Sequence, residues 1–253
     1  MTITPSATID ALEGRLQAAL PTDVDHATIR LWDEQGEYLT VRQNQLEPLS
    51  STVDIGAMVT IWNGGGLGYA ATSDLSEAGL RAAVDRARYW ASVTAGVAVV
   101  ETPSLGHPVG EYSSAVEIGW DEVPLGDRLD LLRHQSQLLG IDDRIVDWSA
   151  SLARRDVNTL LLTNGGGRVE QQFRFVYPNL RATANEGSNT QTRTFGGRAF
   201  CGQGGAEVLG RYGFGDAASQ VAHQALELLD APNCPEGVMD VLLAPDQMIL
   251  QIH

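Results

Sequence analysis

The sequence predicts an α+β fold, in which an N-terminal α/β domain with hairpins and long helices precedes an incomplete strand-rich second region. Short segments alternate apolar and polar residues as strands do, whereas longer segments repeat apolar residues at helical spacing. Two Asn-Gly-Gly-Gly runs, at 63–66 and 164–167, favour tight turns between strands because glycine adopts positive φ without strain. We expect segment 1–103 to be the N-terminal domain, 104–143 a connector with a helix, and 144–253 the strand-rich region.

The N-terminal half predicts two helices and two strand pairs. Ser6 can cap the first helix. Thr72 or Ser73 can cap the second, and Glu77 can complete a capping box from Asp74 or favour the helix dipole. The predicted strands are 27–32, 38–42, 57–62 and 67–71, with turns at 33–36 and 63–66. The predicted buried stripe of the second helix is Leu80, Val84, Ala87 and Ala91.

The rest of the chain reads as a helix, long strands and a second helix. A Gly/Pro-containing connector at 103–119 leads to the helix. Residues 144–202 carry the β-branched and aromatic residues that suit pleated surfaces. The predicted elements after the connector are a helix at 124–139, strands within 144–202, a helix at 216–229, a strand at 238–243 and a terminal helix from Pro245.

Composition excludes several kinds of chemistry. The 253 residues carry a formal charge of −15, and all 17 basic residues are arginine. A chain without lysine has no Walker A loop, no Schiff-base lysine and no lysine general base. The acidity argues against binding a nucleic-acid backbone. No segment approaches the ~18 apolar residues of a membrane span, and the first residues lack the features of a signal peptide. We therefore expect a cytoplasmic protein without a membrane partner.

Most candidate site residues have ordinary interpretations. His26, His107, His134 and His223 are predicted to be structural or surface residues, each without a second ligand at metal-binding spacing. Asp142 and Asp143 suit a solvated turn. Cys201 and Cys234 form no CxxC motif and are expected to stay unpaired. No G-x-S-x-G elbow accompanies the serines, and both glycine runs are interpreted as hairpin turns rather than phosphate loops.

The end of the chain is the exception. A strand at 238–243 would run into Ala244-Pro245-Asp246, a helix-start pattern, and His253 is the last residue. A histidine early in a helix after a buried strand can present a metal ligand from a rigid element. The residues alone leave an ordinary terminal histidine equally open. A helix of about two turns is marginal in isolation, so we expect the chain to be the front part of a longer protein.

Three segments together resemble the TldD/PmbA family of bacterial and archaeal metallopeptidases. The segment at 64–77 is similar to the family's glycine-flanked strand that enters a T-S-D-L-S helix start, here Thr72 to Ser76. The segment at 161–171 is similar to its central strands with a T-x-G turn. The segment at 241–253 is similar to the lead into its H-E-x-x-x-H motif.

The resemblance implies a zinc metallopeptidase that processes or degrades small or unfolded peptides, with segment 144–253 leading into a truncated metallopeptidase domain. In such a motif the two histidines and a distal cysteine bind zinc, which lowers the pKa of bound water, while the glutamate acts as general base. Only the first histidine carries over, onto His253, so the metal site in this chain is incomplete. The general-base glutamate is absent, and no catalytic residue is assigned. We expect the intact protein to hold zinc, and this chain to bind none and to be inactive.

Two alternatives stay open. The chain could be a non-catalytic partner subunit or scaffold of the same family, although that branch lacks the histidine that His253 supplies. It could also be a short interaction module whose terminal helix a partner covers. The family implies a hetero- or homo-oligomer with a related subunit. Its older association with DNA gyrase would suggest nucleic-acid work, which the charge of −15 does not favour. Strands without neighbours after Arg144 should also invite self-association.

Overall fold

The computed structural model describes residues 5–97, 105–196 and 200–252. The helices are α1 (Pro5–Ala19), α2 (Glu77–Thr94), α3 (Leu125–Leu139), α4 (Glu207–Arg211), α5 (Ala217–Asp230) and α6 (Pro245–Ile252). The strands are β1 (His26–Arg42), β2 (Gln45–Leu46), β3 (Ser50–Asn63), β4 (Gly66–Thr72), β5 (Val109–Ser113), β6 (Ile145–Thr163), β7 (Arg168–Glu186), β8 (Asn189–Gly196) and β9 (Gly202–Gln203). Helices and strands of these lengths confirm the predicted α+β class.

The chain forms two compact units, each built from separate stretches of sequence. The first comprises 1–37, 50–115 and 155–174, and the second 38–49, 116–154 and 175–253. Strands β1, β6 and β7 each contribute a segment to both units. The predicted linear division into 1–103, 104–143 and 144–253 stays a prediction, since compactness groups segments in space rather than along the chain.

In the first unit, α1 and α2 cover one face of a sheet with the strand order β4-β3-β1-β6-β7-β5. β3 and β4 are antiparallel, whereas β5 runs parallel to β7. The predicted stripe of α2 is confirmed, because Leu80, Val84, Ala87 and Ala91 are all buried. Each fully buried leucine contributes roughly 1.5–3 kcal/mol of apolar burial. The strand residues of this core are Ala27, Ile29, Leu31, Ala57, Val59, Ile61, Ala70, Leu160 and Leu162.

The second unit has its own core. β7 pairs with β8 and β9, and β2 pairs with β1. Helix α5 packs against β8 and α3, and its buried alanines allow a close approach. The largest fully buried side chains in this core are Phe214, Leu39, Leu132, Leu139 and Leu152.

Several local predictions are wrong. β1 is one continuous strand rather than a hairpin at 33–36, since none of these residues adopts positive φ and Asp33 is buried within the strand. Helix α2 is capped by Ser76, whose Oγ accepts a hydrogen bond from Gly79 N, rather than by Thr72 or Ser73. Asp74 instead accepts from Ser76 N, and Ser6 lies inside α1 rather than before it.

Segment 238–243 is a further correction, because it is not a strand. It has no regular structure and is exposed, and its apolar side chains meet no neighbouring strand in the described residues. The helix predicted after it is confirmed as α6. No helix in the described ranges has the length and apolar character needed to cross a bilayer.

Candidate functional site

Two histidines lie together in the first unit, contrary to the prediction that each stands alone. The ring of His26, at the start of β1, is 5.0 Å from that of His107 between centroids, with 23° between their planes. Trp62 meets His26 edge-on at 5.4 Å. His26 is only 6% exposed, and its pKa is lowered chiefly by burial and then by the charge of His107. The pair is a neutral, packed arrangement.

The second histidine is tied to the turn at 164–167. His107 Nδ1 lies 2.7 Å from Thr163 Oγ1, which also accepts a hydrogen bond from Gly167 N at 2.9 Å. The hydroxyl proton of Thr163 can therefore be donated to Nδ1 of neutral His107. A Cβ at Gly165 would lie 2.1 Å from Nε2 of His107, so glycine is required for this contact.

Both Asn-Gly turns hold the chain just before β1. Asn164 Oδ1 accepts from Ala27 N at 3.1 Å, and Asn164 Nδ2 donates to Val24 O at 3.3 Å. Asn63 Oδ1 accepts from Asp25 N at 3.3 Å. The turns connect β3 to β4 and β6 to β7, so the prediction of hairpins rather than phosphate loops is confirmed.

The described residues do not fit a zinc site. No cluster of three or more His, Cys, Asp or Glu side chains occurs among them, whereas a catalytic zinc requires three protein ligands. His253 lies outside the described residues. Cys201 is half-buried and Cys234 exposed, and both are free as predicted. Burial raises the pKa of the Cys201 thiol, which makes it a poor ligand at neutral pH.

A buried carboxyl group lies in β1 on the helix-covered side. Asp33 is 2% exposed, and its Oδ2 has no hydrogen-bond partner among the described residues. Burial raises the pKa of Asp33, while Asn158 and the charge of Arg174 offset this in part. No hydrogen bond between Asp33 and Asn158 reaches normal geometry. No cavity is seen beside Asp33, so it offers no binding site.

An open cleft of about 520 Å³ lies on the opposite, helix-free face of the first unit's sheet. Its walls come from β1, β3 and the end of β4, and include Arg30, Trp32, Asp54, Met58, Ala71 and Ser73. Side chains alternate between the two faces of a strand. Arg30 and Trp32 therefore face the cleft, while Ile29 and Leu31 enter the core.

The indole at the cleft is held from behind. Trp32 Nε1 donates to Glu34 Oε2 at 3.1 Å, and Glu34 receives two hydrogen bonds from Arg155 at 2.6 and 2.7 Å. The Arg155 hydrogen bonds are the main reason that the pKa of Glu34 is lowered, so the carboxylate stays ionised as an acceptor. Sequence reasoning missed this cleft, although the alternation of β1 already places Arg30 and Trp32 on one face.

Comparison with known proteins identifies relatives of this architecture. Residues 27–91 match the family model described as PmbA/TldA metallopeptidase domain 1. A metalloprotease of Synechocystis sp. is 26% identical over 99% of this chain and 52% of its own length. A metalloprotease of Methanothermobacter thermautotrophicus is 23% identical over 91% of this chain and 49% of its own. The chain thus spans about half the length of these relatives.

Solved structures share the fold. A protein of Thermotoga maritima, named as a candidate modulator of a DNA gyrase, superposes with a TM-score of 0.69 at 15% identity, over 90% of this chain and 50% of that one. TldE from Thermococcus kodakarensis superposes with a TM-score of 0.53 at 13% identity, over 89% and 47%. At such identities the likeness concerns the fold alone.

Proposed function

This chain belongs to the PmbA/TldD family, and we propose that it is the N-terminal portion of a zinc metallopeptidase that matures or degrades small or unfolded peptides. The match of residues 27–91 to the first domain of the family carries the proposal. The metalloprotease names of relatives about twice as long support it. In this proposal His253 is the first zinc ligand, and the remaining ligands and the general-base glutamate lie outside the chain.

The chain itself is proposed to be inactive. Its described residues contain no set of three His, Cys or carboxylate ligands, so we assign them no step in peptide cleavage. They contribute a folded unit and binding surfaces instead. A related family subunit is the proposed partner, because the family resemblance implies an oligomer.

A non-catalytic scaffold subunit of the same family is the second candidate. The fold likeness to a protein named TldE favours keeping it. The DNA gyrase in the name of a structural neighbour belongs to that neighbour. The charge of −15 does not favour a nucleic-acid surface here.

Sequencing the coding DNA past the codon for His253 tests the proposal first. We expect Glu, three residues and His to follow, and a stop codon would contradict the catalytic assignment in favour of the scaffold. The second test is peptide hydrolysis with and without a chelator. We expect chelator-sensitive cleavage by the protein that the continued frame encodes and none by the 253-residue chain. Zinc-dependent cleavage by the chain alone would contradict its proposed inactivity.

A further inference from the structure

The open cleft of the first unit contains two unpaired charges of opposite sign. Arg30 and Asp54 both line it and are exposed. Within the described ranges, neither side chain forms a hydrogen bond or an ion pair, with each other or with another residue. Most other arginines of the chain are held by a carboxylate or a carbonyl oxygen, as Arg155 is by Glu34. An unpaired guanidinium is free to bind a carboxylate in two-pronged geometry.

Between these charges the wall is apolar. Trp32 and Met58 are 38% and 40% exposed on this face, and Ala71 lies across from Met58 in the β3–β4 register. The indole is already held in position through Glu34 and Arg155. A held aromatic ring loses little conformational entropy when a ligand packs against it.

The volume of the cleft suits a small ligand. About 520 Å³ lies within the roughly 300–1,000 Å³ of ordinary small-molecule sites. A ligand that satisfies both charges and the apolar wall carries a carboxylate, an ammonium group and an apolar side chain. A short peptide with free termini has all three.

We propose that this cleft binds the free termini of short apolar peptides, the carboxylate at Arg30 and the ammonium group at Asp54, with a side chain against Trp32 and Met58. The proposal rests on the proposed function, because peptides are its substrate class. It adds a peptide-holding site within the first unit, away from any cleavage chemistry.

Calorimetric titration of the full 253-residue chain with Leu-Leu-Leu tests the proposal. We expect saturable binding that weakens at least tenfold when the peptide is N-acetylated or C-amidated. Arg30→Gln should weaken binding of the free peptide tenfold or more but leave binding of the C-amidated peptide unchanged. Asp54→Asn should do the same for the free and N-acetylated peptides. Arg81→Gln and Asp85→Asn, on the exposed side of α2, are matched controls that should bind as the wild type does.

Three results would overturn this site. They are no binding by the wild-type chain, equal binding of the free and both capped peptides, and undiminished binding by Arg30→Gln and Asp54→Asn. If acetylation alone has no effect, the cleft recognises carboxylates in general and the zwitterionic assignment is wrong. Failure here is separable from failure of the proposed function. Cleavage by the longer protein without binding in the cleft refutes only the cleft, whereas binding without any cleavage refutes only the peptidase.

Discussion

The imidazole rings of His26 and His107 stack at a centroid distance of 5.0 Å beside the Asn164-Gly167 turn. This contact joins the first residue of β1 to the segment that precedes β5. It depends on both rings staying uncharged, because two imidazolium ions at this distance repel each other.

Acidification should therefore destabilise the chain through His26. The folded pKa of His26 is lowered from its ordinary 6.5, so the unfolded chain binds the proton more readily. Its contribution to the free energy of unfolding is complete above about pH 6.5 and declines as the pH falls towards the lowered value. Replacement by Gln should reduce the loss between pH 7.5 and 5.5 by on the order of 1 kcal/mol. Urea denaturation at both pH values measures this. His134→Gln, exposed on α3, is the control that should keep the wild-type slope.

Asp33→Asn should stabilise the chain at neutral pH. Burial raises the pKa of Asp33 above its ordinary 3.8, so the group favours folding below pH 3.8 and loses that contribution as the pH rises through the folded value. The amide removes the buried charge, and we expect a gain of on the order of 1 kcal/mol at pH 7 that disappears near pH 4. Denaturation across this range tests it. An equal or lower stability at pH 7 would show that Arg174 compensates the charge fully.

Gly68→Ala should separate α2 from the sheet. An added Cβ would lie 2.0 Å from Ala87 O and 2.4 Å from Ala91 N, and neither backbone atom can move without shifting the helix. We expect a loss of roughly 3 kcal/mol or more, visible as a lower thermal midpoint. Gly14→Ala in α1, where a Cβ meets nothing, should instead raise the stability by about 0.5–1 kcal/mol. Two similar midpoints would contradict this packing.

Asn164→Ala should weaken the attachment of the segment before β1. It removes the acceptor for Ala27 N and the donor to Val24 O, which we expect to cost about 1–3 kcal/mol. Asn63→Ala removes one exposed bond, to Asp25 N, and should cost less. Hydrogen exchange at the Ala27 amide is the most direct measurement. Unchanged protection in Asn164→Ala would rule out the side-chain bond.

Segment 238–243 should promote self-association, because Val238 and Leu242 are fully exposed and apolar segments without a neighbour pair with other chains. Leu242→Asp should reduce the concentration dependence of the sedimentation coefficient. Val97→Asp places the same charge at another exposed valine, 72% exposed in the first unit, and should not. A monomer at all concentrations in the wild type would contradict the expectation.

Local pattern was sufficient for much of the fold. The stripe of α2 and the positive φ of Gly64 and Gly65 depend on neighbouring residues, and both are as predicted. The cap of α2 was missed because Thr72, Ser73 and Ser76 are all chemically able to cap, and the end of β4 selects among them. The family likewise follows from motifs within short segments, such as 64–77.

Tertiary structure alone decided which distant residues meet. His26 and His107 are 81 positions apart in the numbering, and only the strand order of the first unit brings their rings into contact. The same holds for Arg30 and Asp54, whose shared cleft arises from the pairing order of β1 and β3. The interleaving of both units along β1, β6 and β7 has no local signal, because burial depends on partners in space rather than on the neighbouring residues of the chain.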